Sequence, residues 1–251
     1  MTAVEVADGV LVTTSTLEVT TSTVVVRGSE ALLVDPAWTP GELDALADLL
    51  AERGLTVAAG VSTHAHHDHL LWHPRLGEVP RWASPVTAAL AVSERADLIE
   101  QMGPGWPAEL LELLGRVESV DSNRLPGPWD EAELVVHDGH APGHTAVWLP
   151  ERGVLLAGDM LSDVELPLPF GPDDLPAYLA GLDVLTPYVA RATVLVPGHG
   201  RPTTAPLARL DADRRYLDDM LTRGDSDDAR IAHPGMAEHH AHLQRLARAG
   251  S

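Results

Sequence analysis

Residues 56 to 69 read TVAAGVSTHAHHDH, an apolar run that leads directly into a cluster of histidines and an aspartate. The apolar run is short and bounded by turn signals, which predicts a buried strand that delivers His64 at its carboxyl end. Because strand residues two apart face the same side, His64 and His66 can address one point, whereas Asp68 and His69 lie past the bend and can address a second. The spacing predicts two adjacent metal ions, and the alternative is a solvated histidine-rich loop.

The amino-acid composition limits the metal ligands, partners and cellular compartment that this protein can have. The chain has 251 residues, no cysteine and a formal net charge of −20, with 37 acidic residues against 17 basic ones. Histidine and carboxylates are therefore the available metal ligands, and the lack of cysteine fits a reducing compartment. The strong negative charge disfavours nucleic acid and anionic membranes as partners. The first residues, MTAVEVADGV, lack a signal-peptide pattern, and no run reaches the roughly 18 apolar residues of a membrane span. We therefore expect a cytoplasmic protein.

Strand and helix patterns alternate along the rest of the chain in two similar halves. Thr39-Pro40-Gly41-Glu42 supplies a helix N-cap with proline in the first turn, and this helix ends near Gly54. Apolar or β-branched runs predict strands at 9–16, 22–28, 30–35, 56–63, 133–138, 145–150, 153–159 and 192–198. Amphipathic patterns predict helices near 85–100, 107–115, 172–185, 205–223 and 236–248, with an acidic linker at 224–230. Two strand-rich halves that each finish with helices predict an α/β protein, a four-layer αββα sandwich of two mixed β-sheets flanked by helices.

The run from His64 to His69 resembles the His-x-His-x-Asp-His signature of the metallo-β-lactamase superfamily, and the resemblance extends over about residues 9 to 205. The family's other motifs follow in order: Asp35 in Leu33-Val34-Asp35-Pro36, His144 in Pro142-Gly143-His144-Thr145, Asp159 in Ala157-Gly158-Asp159 and His199 in Pro197-Gly198-His199-Gly200. The resemblance implies the metallo-β-lactamase fold and two metal sites bridged by Asp159. The implied ligands are His64, His66 and His144 for the first metal, and Asp68, His69 and His199 for the second.

The same resemblance implies a zinc-dependent hydrolase of the glyoxalase II-like branch. True β-lactamases have a different residue at the position of Asp159, which disfavours antibiotic hydrolysis. In the implied chemistry two divalent ions, with zinc expected and iron or manganese also compatible, activate a bridging hydroxide that Asp68 orients as the catalytic residue. The implied substrate is a small ester, thioester or lactone. Two alternatives stay open: a mononuclear iron oxidoreductase similar to persulfide dioxygenases, and a metal-dependent nuclease or phosphodiesterase.

Three further side chains are candidates for supporting a metal ligand or lining the pocket, on less specific sequence signals. Asp35 suits either a local turn or the support of a metal ligand. His140 can orient a ligand or substrate, or can be an ordinary loop histidine, and His73 is favoured as a packing residue over a position at the pocket mouth. We expect residues 1–205 to form the catalytic domain and residues 206–251 a helical extension packed on it. Apolar helical faces are compatible with a homo-oligomer.

Overall fold

A seven-stranded sheet occupies the first half of the described chain. The computed structural model describes residues 2–169 and 174–249. The strands lie side by side in chain order: β1 (Ala3–Ala7), β2 (Val10–Thr14), β3 (Thr21–Arg27), β4 (Glu30–Val34), β5 (Thr56–Val61), β6 (Arg81–Ala83) and β7 (Glu118–Ser119). Strands β1 to β4 pair antiparallel, and β4 to β7 pair parallel. Because the carboxyl ends of parallel strands share one edge of a sheet, the loops that follow β4 and β5 meet at that edge.

A second sheet contains four strands of the described residues. They are β8 (Glu133–His137), β9 (His144–Leu149), β10 (Val154–Leu156) and β11 (Val194–Val196), arranged in the order β11-β10-β9-β8. Strands β8, β9 and β10 pair antiparallel, whereas β10 and β11 pair parallel. The loops after β10 and β11 therefore leave the sheet on the same side, and they carry Asp159 and His199.

Helices cover the outer faces of both sheets. In the described ranges they are α1 (Pro40–Glu52), α2 (Pro85–Ser93), α3 (Arg95–Met102), α4 (Ala108–Leu113), α5 (Asp174–Val189), α6 (Pro206–Arg223) and α7 (Met236–Ala249). Leu46 of α1 packs against Leu33 of the first sheet, and Tyr178 of α5 belongs to a buried cluster with Trp148 of the second. None of these helices is long and apolar enough to cross a membrane.

The inner faces of the two sheets form the central core. Val25 and Leu32 of the first sheet lie in one buried cluster with Val147 and Leu156 of the second. Such a cluster arises because each sheet removes one apolar face from water by packing it on the other. The order of layers is helix, sheet, sheet, helix, which confirms the expected αββα sandwich.

The start of a helix is predicted best where a capping motif marks it in the sequence. Helix α1 begins with the expected cap: Thr39 Oγ1 accepts from the Glu42 amide, and the Glu42 carboxylate accepts from the Thr39 amide, a reciprocal capping box. The expected single helix over 85–100 is two helices, with a break at Glu94. Strands β1, β6 and β7 were not predicted. The last two span three and two residues, too short to show a pattern.

Two expectations near the carboxyl terminus need comment. The start of the helix expected at 172–185 lies outside the described residues, and α5 continues past that range to Val189. The segment expected as an acidic linker, 224–230, ends in a short 3-10 turn, Ala229–Ala232, whose Arg230 side chain is buried. Because the Arg230 side chain is buried, this segment packs against the rest of the domain.

Candidate metal centre

Asp35 fixes the start of the histidine loop. It follows β4 with a positive φ of 48° and is buried. Its carboxylate accepts hydrogen bonds from the Thr63 amide at 2.9 Å and the Thr63 hydroxyl at 2.6 Å, and it lies 2.9 Å from His69 Nδ1. A carboxylate can only accept, so the proton of His69 is on Nδ1 and Nε2 faces the site. These contacts are compatible with both roles expected of Asp35, because it holds the neighbouring turn and also lies beside a candidate ligand histidine.

The first ligand group joins three imidazoles and one carboxylate. His64 Nε2 lies 2.9 Å from His66 Nδ1, which in turn lies 3.1 Å from His140 Nε2. Asp159 Oδ2 completes the group at 3.3 Å from His64 Nε2 and 3.5 Å from His140 Nε2. His64 is supplied by the end of β5, His140 by the loop after β8, and Asp159 by the loop after β10, so three loops converge on one point.

The second ligand group contains Asp68, His69 and His199. Asp68 Oδ2 lies 3.3 Å from His69 Nε2 and 3.2 Å from His199 Nε2. Asp159 also reaches this group, because its Oδ1 lies 3.1 Å from His69 Nε2 and its Oδ2 lies 3.4 Å from His199 Nε2. The Nδ1 atom of His199 faces the other way, 3.0 Å from the Glu18 carbonyl oxygen. Asp159 therefore stands between the two groups.

The structure differs from the sequence-based expectation at one ligand of the first group. His140 lies in this group, and the expected ligand His144 does not. His144 is the first residue of β9, and its Nε2 accepts a hydrogen bond from the Asp159 amide at 3.1 Å. That lone pair is therefore engaged with the backbone. His140 lies four residues earlier, in the loop before β9, and its Nε2 is directed toward His66. His140 and His144 lie four residues apart beside the same strand start, so sequence position alone does not distinguish the ligand.

The remaining predicted residue, His73, lies away from both groups. Its Nε2 is 3.4 Å from the Asp44 carboxylate and its Nδ1 accepts from the Arg75 amide. This agrees with the packing role favoured for it. One acidic residue was missed: Glu165 groups with Asp159 and His199, and its carboxylate lies 3.9 Å from His199 Nδ1. Burial raises the pKa of Glu165 to about 7. No motif marks it in the sequence.

Close backbone packing holds the two ligand-bearing loops of the second sheet together. A Cβ atom on Gly198 would lie 1.9 Å from Asp159 Oδ1, and one on Gly158 would lie 2.4 Å from His144 Nε2. Gly158 also has a φ of 57°, in the left-handed region that disfavours other residues. Glycine before Asp159 and before His199 is thus a steric requirement of this site.

The electrostatics favour the metal-binding protonation states of His66, His140 and the two carboxylates, whereas His69 and His199 are held protonated. Burial, assisted by His64, lowers the pKa of His66 to about 3, and burial also holds the pKa of His140 well below its usual value. Burial opposes ionisation of Asp68 and Asp159, but His69 and His199 outweigh it and keep both carboxyl pKa values well below normal. Burial lowers the pKa values of His69 and His199, but the nearby carboxylates, led by Asp159, outweigh it and raise both well above normal. Because imidazole binds metal in its neutral form, metal binding at these two residues would release a proton from each.

The donor set fits two divalent ions. Asp68 Oδ2 and Asp159 Oδ1 are buried and have no hydrogen-bond donor within the described ranges. The N···N separations of 2.9 to 3.3 Å approach the edge of a zinc tetrahedron, about 3.3 Å for Zn–N bonds of about 2.0 to 2.1 Å. Imidazole and carboxylate without sulfur suit zinc, iron or manganese. The carboxylate of Asp159 is placed to contribute an oxygen to each group.

Comparison with known proteins identifies the family of this chain. The model of the metallo-β-lactamase superfamily matches residues 15–199. An uncharacterized protein of Mycobacterium tuberculosis is 26% identical over 209 residues, which cover 75% of this chain and 86% of that protein. Hydroxyacylglutathione hydrolase of a Synechococcus species is 32% identical over 132 residues, 52% of this chain and 44% of that enzyme.

Solved structures share the fold. A β-lactamase domain protein from Burkholderia ambifaria superposes with a TM-score of 0.67 at 22% identity, over 99% of this chain and 89% of that one. At this level of identity the likeness concerns the fold alone. The family match, in contrast, spans most of the chain and contains every residue of both ligand groups. The chain belongs to the metallo-β-lactamase superfamily, most of whose members are metal-dependent hydrolases.

Proposed function

We propose that this protein is a dinuclear metallo-hydrolase that cleaves an ester, thioester or lactone bond of a small molecule. The observation that supports this most directly is the sharing of Asp159 by two adjacent ligand groups. One group would use His64, His66 and His140, and the other Asp68, His69 and His199. When bound, two divalent ions, of which zinc is the expected one, supply Lewis acidity that polarises a carbonyl and activates water.

The protein's own residues hold and orient the reacting groups in this proposal. Asp68 remains ionised because His69 and His199 overcome the effect of its burial on the pKa. An ionised carboxylate accepts hydrogen bonds, so Asp68 can orient the attacking water. Asp35 holds His69 through Nδ1, which keeps the opposite nitrogen directed into the site.

A cavity beside His199 supports a small-molecule substrate. It measures about 530 Å³ and is lined by residues of the Ser15–Thr20 loop, the loop after Asp159 and the segment 233–236, with Glu165 in its wall. Ligand sites commonly occupy clefts of roughly 300 to 1,000 Å³. A larger cavity of about 760 Å³ lies at the β1 edge, and its lining lacks Glu18 and Glu165, the two residues of the smaller cavity that contact His199. We therefore assign the substrate to the smaller one.

The bond type is supported by the relative that cleaves hydroxyacylglutathione, whose name indicates hydrolysis of an acyl group. The glutathione part is not carried over, because this chain contains no lysine and has a net charge of −20. The same charge opposes the binding of nucleic acid, which disfavours nuclease activity. Neutral acyl substrates are the class that we propose.

Elemental analysis coupled to a substrate screen tests the proposal. The protein would be purified without added metal and assayed with neutral esters, thioesters and lactones, alongside Asp159→Asn and the control His73→Ala. We expect about two zinc ions per chain and turnover for the native protein and His73→Ala, and loss of both for Asp159→Asn. One iron per chain with oxygen consumption in place of hydrolysis would overturn it in favour of the oxidoreductase alternative.

A further inference from the structure

The loop that follows Asp159 has an irregular backbone that needs external support. Leu161 is fully buried and has a φ of 62°, a left-handed conformation that is unfavourable for a residue other than glycine. Its amide donates to Asp213 Oδ2 at 3.1 Å, across 52 residues of sequence. Asp213 belongs to α6 and is itself buried at 1% exposure. The conformation of this loop is therefore coupled to a helix beyond the family-matched residues.

Arg230 completes the same connection. Its guanidinium pairs with the Asp213 carboxylate, and its Nη1 donates to the carbonyl oxygens of Ser162 and Glu165, each at 3.0 Å. Arg230 is 6% exposed and lies in the segment that the sequence suggested was a linker. One buried cation thus satisfies two carbonyl groups of the loop that carries Asp159.

Ser162 extends the network to the other ligand-bearing loop. Its hydroxyl donates to the His199 carbonyl oxygen at 2.6 Å and accepts from the amides of Val164 and Glu165 at 3.0 Å. The path from α6 through Arg230 and Ser162 therefore reaches the backbone of the loop after Asp159 and the carbonyl oxygen of His199. His199 belongs to the second ligand group, and the Asp159 carboxylate contacts it there.

Stability alone is a weak explanation for this ion pair. A buried ion pair pays a desolvation penalty that often cancels its attraction, so well-packed apolar residues serve stability equally well. Apolar side chains cannot, however, bind the Leu161 amide or the two carbonyl oxygens. We infer that Asp213 and Arg230 are positioning residues, which hold the Asp159 and His199 loops in the geometry that the second metal ion requires. The division of the chain at residue 205 then separates these residues from the site they position.

Zinc titration in competition with a chromophoric chelator tests this role in the full-length protein. The variants are Asp213→Asn and Arg230→Met. The matched control is Leu46→Ala, which truncates a fully buried side chain of α1 in a different cluster. We expect both variants to bind the second zinc equivalent about 10- to 100-fold more weakly, as for other residues that orient metal ligands. Leu46→Ala should lower the unfolding temperature of the metal-free protein while leaving both zinc affinities unchanged.

The outcomes separate this inference from the proposed function on which it rests. Native protein that binds no zinc would overturn both. The positioning role alone would be overturned if the native protein binds two zinc ions while Arg230→Met and Asp213→Asn lose thermal stability but keep both zinc affinities within about twofold.

If neither variant folds, Ser162→Ala provides the test, because it removes only the hydroxyl that joins the two loops. A weaker second zinc equivalent in Ser162→Ala supports the inference, and an unchanged one overturns it. A cobalt(II) absorption spectrum altered in the same variants provides a readout independent of turnover.

Discussion

The two sources of metal ligands are built in different ways. The loop from His64 to His69 provides four ligands within six residues, and its main support, Asp35, belongs to the neighbouring strand. Asp159 and His199 lie 40 residues apart on two loops, and they depend on contacts from Glu18, Ser162 and Arg230. A dense local motif is thus visible in a sequence, whereas a site assembled from single residues also needs supports that no motif marks.

The largest expected effect concerns His140, in the loop before β9, and His144, the first residue of β9, which have different contacts. His140→Ala should reduce the zinc content from about two ions to about one and lower the hydrolytic rate roughly 10²- to 10³-fold, because it removes a ligand. His144→Ala should retain the zinc content and lose about 10- to 100-fold in rate, because its Nε2 orients the Asp159 amide. Metal analysis and kinetics on both variants check this. The reverse pattern would restore His144 as the ligand.

A glycine substitution tests the close packing of the single-residue loops. Gly198→Ala places a methyl group 1.9 Å from Asp159 Oδ1, and we expect it to destabilise the protein by about 1 to 3 kcal/mol and to displace the second zinc. The matched control is Gly41→Ala in α1, where a Cβ would meet nothing within 4 Å. That control should be neutral or slightly stabilising. Urea unfolding with zinc analysis measures both, and equal behaviour of the two variants would contradict the steric argument.

A smaller effect is expected from the support of the histidine loop. Asp35→Asn keeps an acceptor for the Thr63 amide but weakens the contact with His69 Nδ1. We expect zinc to bind about tenfold more weakly, about 1.4 kcal/mol. Competition titration decides this. Unchanged affinity would assign Asp35 to the local turn, the other role considered for it.

The smallest effect concerns pH. Burial raises the pKa of Glu42, but hydrogen bonds from the amides of Thr16 and Thr39 and from the hydroxyls of Ser15 and Thr39 lower it to about 2. A carboxyl pKa lowered by folding stabilises the protein above its unfolded value near 4.5, and this contribution is lost as the pH falls toward 2. Glu42→Gln should therefore be less stable than the native protein at pH 6, with the difference shrinking toward pH 2. Because Glu42 is partly exposed, we expect less than about 1 kcal/mol.

Unfolding of metal-free protein at several pH values measures this difference. A constant gap between Glu42→Gln and the native chain across the range would refute the assignment. The result bears on the site, because Glu42 also accepts from Ser15 and Thr16 and so anchors the loop whose Glu18 carbonyl contacts His199.

Much of the fold followed from the sequence, and the reasons are local. The capping box at Thr39 and Glu42 and the apolar run before His64 carry their signals within a few residues. Strands as short as β7 have no period to detect, and the break at Glu94 is not marked by a proline or glycine beside it. Within the site, Asp35 could be placed near the histidines from its strand end. Glu165, Asp213 and Arg230 could not, because their roles exist only after distant segments meet.

The contacts between Thr21 and the loop before His199 have a consequence for the order of folding. The Thr21 amide donates to the Gly198 carbonyl oxygen at 2.7 Å, and the neighbouring Thr20 forms an isolated β-bridge with His199, 179 residues away. Closing so long a loop is entropically costly and slow compared with forming nearby contacts. During synthesis the histidine loop is complete well before His199 leaves the ribosome. The nascent chain therefore presents only part of the candidate metal centre for about half of its elongation, and under the proposed function tight retention of two ions would await the last third of the polypeptide.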